Sequence, residues 1–156
     1  MIEIAIPGYR KLKFDHLVMD YNGTLAVDGM IIDGVKERLA VLTENLQLHV
    51  VTADTFGKVR SVLKDVACEL AILPADNQDV GKLSYVKDLG LASTVCIGNG
   101  RNDRMMLKEA ALGIAVILNE GTCIETLLSA DVVCTSIVSA LELLIYPLRL
   151  TATLRS

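Results

Sequence analysis

Tryptophan is absent from this 156-residue chain, and aromatic residues make up only 4% of it. That excludes a core built on stacked rings and leaves the interior to aliphatic side chains. No stretch has the roughly 20 consecutive apolar residues that a bilayer-spanning helix needs. The opening MIEIAIPGYRKLKF has no long apolar segment of the leader type, because Pro7-Gly8 interrupts it. Cys68, Cys96, Cys123 and Cys134 show no CxxC spacing, and three of the four lie in or beside apolar stretches. Reduced core thiols are therefore the better reading than a zinc site or a disulfide framework. A basic excess is missing too: the formal net charge is -4, and Arg10, Lys11 and Lys13 read as solvated surface. Nucleic acid is not an expected partner. No GxGxxG follows the first strand, which argues against a plain dinucleotide-binding domain. The expectation is a soluble cytoplasmic protein with neither membrane nor nucleic acid as a partner.

What is present is the composition of a folded globule, with 52% hydrophobic and 22% charged residues. The length suits one domain, 1–156. Short β-rich apolar runs alternate with segments of helical spacing, the cadence of βαβ units and a parallel sheet. Strands are expected near 2–6, 14–20, 47–52, 69–73, 94–98, 113–117 and 131–135. Helices are expected near 34–45, 56–66, 79–89, 102–111, 122–129 and 136–145. In the first helix Val35, Leu39, Leu42 and Leu46 form one apolar stripe. Several strands are apolar nearly throughout, as a sheet covered on both faces requires. Asp28-Gly29 between short apolar arms signals a β-hairpin, so a flap is expected at about 25–34. The tail 147–156 keeps apolar residues that can pack on the core or on another subunit.

Open parallel α/β sheets bind ligands beyond the carboxyl ends of their strands. Four polar features fall at such ends. Asp20, with Asn22 and Thr24, follows the apolar run Phe14 to Met19, and Thr52 closes Leu48 to Val51. Lys82 opens a helical segment, and Asn99 to Asp103 closes Val95-Cys96-Ile97. Singly, each has an ordinary reading: a strand-end turn at Asn22-Gly23, a strand-end hydroxyl, a surface lysine, a helix cap at Asn102 or Asp103. Asp54 likewise reads first as a cap for the helix that follows. Together they bring a carboxylate, a hydroxyl, an ammonium and a second carboxylate to one sheet edge. Phosphoryl transfer to a carboxylate needs that set. Mg²⁺ held by Asp20 and Asp103 would screen the phosphate from the nucleophile. Lys82 would add a second positive charge. Thr52 and the backbone N–H groups around Asn22, Gly23 and Thr24 would hold the remaining oxygens. Asp20 could then attack phosphorus and form an aspartyl-phosphate.

These residues carry a resemblance. DYNGTL, the Thr52 of VTAD, the Lys82 of GK and GNGRNDRMML follow the order and spacing of four motifs. On them the chain resembles the haloacid dehalogenase superfamily of phosphohydrolases and the phosphorylation domains of P-type ATPases. The resemblance covers about residues 14–140 and implies an α/β fold, a Rossmann-like three-layer α/β/α sandwich around a central parallel sheet. Both intervals where the family inserts a cap are filled by the flap and by βα units, so a capless, soluble P-type ATPase-like member is implied. The implied catalytic residues are Asp20, Asn22, Thr52 and Lys82. The implied phosphate site is Asn22, Gly23, Thr24, Thr52, Ala53 and Lys82, and the implied Mg²⁺ site is Asp20, Asn22, Asn99 and Asp103. The partner would be a small phosphorylated substrate. Analogy with capless sugar-phosphate phosphatases implies a homo-oligomer, a tetramer among its forms, whose subunits cover one another's sites.

Two positions depart from the motifs. Asn22 stands where the family has its second aspartate, the group that protonates the leaving group and later activates water. Losing such a group lowers rates by about 10²–10⁴-fold, so slow phosphoenzyme hydrolysis is expected, with a preference for leaving groups that need no proton. Asn99 replaces a metal-binding aspartate, which lowers the ligand charge for a hard cation. Asp28 or Asp54 could supply the missing acid, Asp54 being the better placed. The alternative to a slow phosphatase or phosphotransferase is a catalytically weakened binding or regulatory module.

Overall fold

The computed structural model describes residues 1–53 and 57–156. Asp54, expected as a helix cap and as a stand-in acid, lies outside the described residues. The first half of the chain runs through β1 (Ile2–Ala5), β2 (Lys11–Phe14), β3 (His16–Met19), β4 (Ala26–Val27), β5 (Met30–Ile31), α1 (Val35–Leu42) and β6 (Gln47–Thr52). It continues through α2 (Val59–Val62), β7 (Cys68–Ile72), α3 (Gln78–Leu89), β8 (Thr94–Gly98), α4 (Arg104–Glu109) and β9 (Leu112–Val116). The last elements are α5 (Ile124–Ser129), β10 (Val132–Cys134), α6 (Ile137–Ile145) and α7 (Pro147–Leu154).

Six strands form one sheet in the order β10-β9-β8-β3-β6-β7, and every neighbouring pair is parallel. The side-chain period of two sorts each strand between two cores. Leu17, Met19, Leu48, Val50, Val95, Ile97, Leu112 and Ile114 pack with α1 and α6 residues such as Leu39 and Leu141. Val18, Val51, Cys96 and Ala115 point the other way, onto Val86 of α3 and Met106 and Leu107 of α4. Helices therefore cover both faces, and the architecture is the three-layer α/β/α sandwich.

Two expectations are corrected. The strand read over 14–20 divides at Asp15, whose N–H donates to the Ser93 carbonyl and whose carbonyl accepts from Gln47 N–H. Its first part belongs to β2, which pairs antiparallel with β1 from Ile2↔Phe14 to Ala5↔Lys11. That hairpin stands apart from the parallel sheet. The helix read over 56–66 is one turn, Val59–Val62, among the described residues. The tail is helical: Pro147 begins α7, where the missing proline N–H costs nothing, and fully buried Leu150 packs it on the core. The bend between α6 and α7 is 101°, and among the described residues no single helix is long and apolar enough to cross a membrane.

The sheet order explains where chemistry can sit. From β3 the chain steps to β6 and β7 on one side, then crosses back to β8, β9 and β10 on the other. The reversal leaves a crevice beyond the carboxyl end of β3, flanked by the ends of β6 and β8. Asp20 follows β3, Thr52 closes β6 and Asn99 follows β8.

Candidate active site

Asp20 is set by its own backbone, whose N–H donates to the Ile97 carbonyl of β8 at 3.0 Å. The chain then winds around the Tyr21 carbonyl, which accepts from the N–H groups of Thr24, Leu25 and Ala26, while Gly23 N–H donates to Ala26 O at 2.8 Å. Gly23 has φ +78°, and a Cβ there would lie 2.3 Å from the Asn99 amide nitrogen. Only glycine brings the loop this close to Asn99. Gly98 serves the other side, since a Cβ on it would meet the Asp103 carboxyl carbon at 2.5 Å.

Lys82 projects from the second turn of α3, a helix that begins at Gln78 rather than at Lys82. Its side chain is 1% exposed, and Nζ lies 2.6 Å from Asp20 Oδ1 and 2.6 Å from Asp103 Oδ1. The other Asp103 oxygen accepts from the N–H groups of Asn99 (3.0 Å) and Gly100 (2.9 Å). Asp103 thus has both oxygens engaged by Lys82 and the backbone, and in this arrangement it orients Lys82 and the Asn99–Gly100 turn instead of facing the cleft.

Two carboxylates and one ammonium share this buried volume. Burial pushes the Asp20 carboxyl up to about 7, and the neighbouring Asp103 charge adds to the rise; Lys82 and the Thr24 hydroxyl pull it back. Burial works against charged Lys82, but Asp20 and Asp103 outweigh it and hold the ammonium above the usual lysine range.

Thr24 Oγ1 lies 3.2 Å from Asp20 Oδ2 and 3.2 Å from Asn99 Oδ1. The Asn99 amide is oriented by its nitrogen, which donates to Gly121 O at 3.0 Å, so its oxygen is the atom turned to Thr24. One hydroxyl proton cannot satisfy both acceptors. Two oxygens therefore converge with a single donor between them. That donor set, all oxygen and partly anionic, fits a hard divalent cation such as Mg²⁺. Among the described residues no group of three or more His, Cys, Asp or Glu side chains offers another metal site.

Asp20, Asn22, Thr52, Ala53, Asn99 and Gly100 line a cleft of about 150 Å³ together with Gln78 and Asn102. Thr24, Lys82 and Asp103 touch this lining from the buried side. Gly23 and Thr24 N–H are used inside the loop, so the phosphate-holding role expected of those two amides has no support in their hydrogen bonds. Asn22 is exposed. Gln78 escaped the sequence reading, although it precedes Lys82 by four residues on the same helix and was legible by that spacing, and Asn102 was read there as a candidate helix cap. Their side chains are tied, Asn102 Nδ2 donating to Gln78 Oε1 at 2.6 Å.

No protein-family model matches the chain. The uncharacterized protein MJ0073 of Methanocaldococcus jannaschii is 41% identical over 83 residues, which cover 51% of this chain and 89% of that protein. MJ0072 of the same organism is 49% identical over 39 residues, 25% of this chain and 89% of its own length. Among solved structures, a HAD superfamily (subfamily III A) hydrolase from Legionella pneumophila aligns with a TM-score of 0.64 and 17% identity, covering 90% of this chain and 88% of that one. The chain belongs to one family with MJ0073, and its fold is that of the haloacid dehalogenase superfamily. The 3-deoxy-D-manno-octulosonate 8-phosphate phosphatase of Moraxella catarrhalis, solved with magnesium, phosphate and KDO, shares the fold with a TM-score of 0.67 and 22% identity over 85% of this chain and 86% of that one. The cobalt-bound phosphatase of the same type from Haemophilus influenzae gives a TM-score of 0.73 at 14% identity, over 92% and 94% of the two chains. Within the haloacid dehalogenase fold, the sequence departures at Asn22 and Asn99 now have positions. Asn22 lies exposed at the cleft, and Asn99 is buried beside Thr24.

Proposed function

We propose that this protein is a Mg²⁺-dependent phosphatase or phosphotransferase that works through a phosphorylated Asp20 and turns over slowly. The observation that carries the reading is the Lys82 bridge: one buried ammonium holds Asp20 and Asp103 at 2.6 Å each at the mouth of a parallel sheet. The phosphatases of like fold from Moraxella catarrhalis and Haemophilus influenzae were solved with magnesium or cobalt, and the donor set here suits such an ion. Asp20, Asn99 and the Asn22 region would hold it, and bound Mg²⁺ would supply charge neutralisation between the nucleophile and the phosphoryl oxygens.

The chain's own residues do the rest. Lys82 and Thr24 fix the two Asp20 oxygens and favour its ionised, nucleophilic form. Thr52, Ala53, Gly100 and Asn102 border the space that phosphoryl oxygens would enter. Asp20 attacks phosphorus, the Asp20–phosphorus bond forms, and the bond to the leaving group breaks. Asn22 can donate a hydrogen bond to the departing oxygen but no proton, and it cannot deprotonate the water that later cleaves the aspartyl-phosphate. Capture is therefore expected to outrun release. Free thiols at Cys68, Cys96, Cys123 and Cys134 suit a reducing cytosol, and a small phosphorylated substrate suits the narrow cleft. The proposed assembly is a homo-oligomer whose neighbours close the site over the exposed hairpin. The test is incubation of the full chain with acetyl phosphate and Mg²⁺, acid quenching and mass spectrometry. A phosphate on Asp20, absent without Mg²⁺ and in Asp20→Asn, is the expected result.

A second reading, a binding or regulatory module, is favoured by one observation, the absence of any carboxylate at position 22. It predicts phosphate binding without a covalent adduct in the same experiment.

A further inference from the structure

A cavity of about 730 Å³ adjoins the cleft, and Asn22 lines both. This volume lies within the range of small-molecule pockets, about 300–1,000 Å³. Its walls are apolar on Tyr21 beside the nucleophile, on Met30 and Ile31 of the hairpin and on Val59 and Val62 of α2, while Asn22, Asp28, Lys58 and Glu120 give it a polar edge. Two ties hold the hairpin wall in place. Tyr21 OH donates to Gly29 O at 3.1 Å, and Asp28 N–H donates to Glu120 Oε1 at 2.8 Å. The apolar wall is thus fixed to the residue next to Asp20.

The geometry points to this cavity as the seat of the leaving group, and we propose that the substrate is an aryl phosphate. The inference rests on the phospho-Asp20 reading above and deepens it. A group expelled from phosphorus past Asn22 enters a cavity whose apolar wall is formed by Tyr21, Met30, Ile31, Val59 and Val62. An aromatic ring would be stabilised there by burial. The same choice answers the chemistry of Asn22. A phenol is far more acidic than an alkyl alcohol, so its oxygen can depart with the electron pair and needs no proton from the enzyme. Asp20 forms its bond to phosphorus as the phosphorus–oxygen bond of the ester breaks, and the phenolate takes a proton from solvent. Water then attacks phosphorus, returning the Asp20 carboxylate and inorganic phosphate.

The experiment compares kcat/KM for 1-naphthyl phosphate and phenyl phosphate on the full chain with Mg²⁺. The two leaving groups have similar acidity and differ in apolar size, and burying a second ring is worth at least about tenfold. Wild type is expected to prefer the naphthyl ester by that factor. Val62→Asp and Met30→Asp are each expected to bring the ratio to within about twofold of one. Met30 is 75% exposed, so its variant folds even if the Val62 one does not, and circular dichroism checks both. A wild-type ratio near one, with Asp20 still phosphorylated by acetyl phosphate, would overturn the cavity assignment and leave the phosphatase reading standing. A preference that survives both variants overturns it as well. Failure of acetyl phosphate to label Asp20 would overturn the phosphatase reading, and this inference with it.

Discussion

Asn22 decides the pace of the proposed reaction, and its surroundings oppose its deamidation. An Asn-Gly dipeptide loses ammonia when the glycine nitrogen attacks the side chain, but Gly23 N–H here is held by the Ala26 carbonyl at 2.8 Å. Asn22→Asp is expected to raise dephosphorylation of phospho-Asp20 by about 10²–10⁴-fold, the usual worth of a positioned acid–base group. Single-turnover decay of the labelled enzyme measures it, with intact mass confirming that wild-type Asn22 is unmodified. A change below threefold would show that position 22 is not the limit. Asp20 and Thr52 stood out in the sequence because strand-end polar groups in an apolar chain are conspicuous, whereas Lys82, on a helix, stood out only through the order of the motifs. The partition of Asp103 was not legible. Its pull toward Lys82 and two backbone N–H groups depends on the turn at Gly98–Gly100 and on the depth to which α3 buries Lys82, neither of which residue spacing encodes.

At the scale of elements, the central strands of the parallel sheet were the most legible feature, since β3, β6, β8 and β9 are buried on both faces and read as nearly continuous apolar runs. The β1–β2 hairpin was hidden for the opposite reason. Lys11, Leu12, Lys13 and Phe14 alternate between exposed and buried, and the lysines read as surface charge when they were also the outward half of a strand. The sequence left the tail open between this core and another subunit, because its helix is defined by tertiary contact. Leu150 is fully buried, Thr151 and Leu154 are half-buried, and Leu148 is 83% exposed. If α7 belongs to the fold of its own chain, Leu150→Ala lowers stability by about 2–5 kcal/mol, the cost of truncating a buried leucine. Urea denaturation measures the shift, and an unchanged midpoint would mean that the tail contributes nothing to this core.

The whole molecule places its chemistry at one end of the sheet and a buried polar network within it. His49 of β6, 1% exposed, contacts His16 Nδ1 at 3.1 Å and the Tyr85 hydroxyl of α3 at 2.9 Å, with Glu69 of β7 at 3.6 Å. Burial lowers its pKa, opposed by Glu69 and aided by His16. Below about pH 6.5 the unfolded chain therefore binds a proton that folded His49 refuses, and this contribution to stability is lost on acidification. Asp20 acts with the opposite sign. Its folded carboxyl keeps a proton up to about pH 7, so its contribution declines as pH rises from about 4 toward 7. Denaturation midpoints at pH 7.5 and 5.5 in wild type and His49→Gln separate the two. The variant is expected to lose less stability, or gain more, on acidification than wild type, and equal slopes would remove His49 from the account.

The central claim is that Asp20 is a competent nucleophile, fixed by Lys82 and made approachable to phosphate by Mg²⁺. Fluorine NMR of the full chain with beryllium fluoride tests it most directly, because that reagent mimics a phosphoryl group only on a carboxylate able to attack. The account predicts protein-bound fluoride resonances that require Mg²⁺ and vanish in Asp20→Asn. No bound resonance with Mg²⁺ present, or an unchanged spectrum in Asp20→Asn, would contradict it.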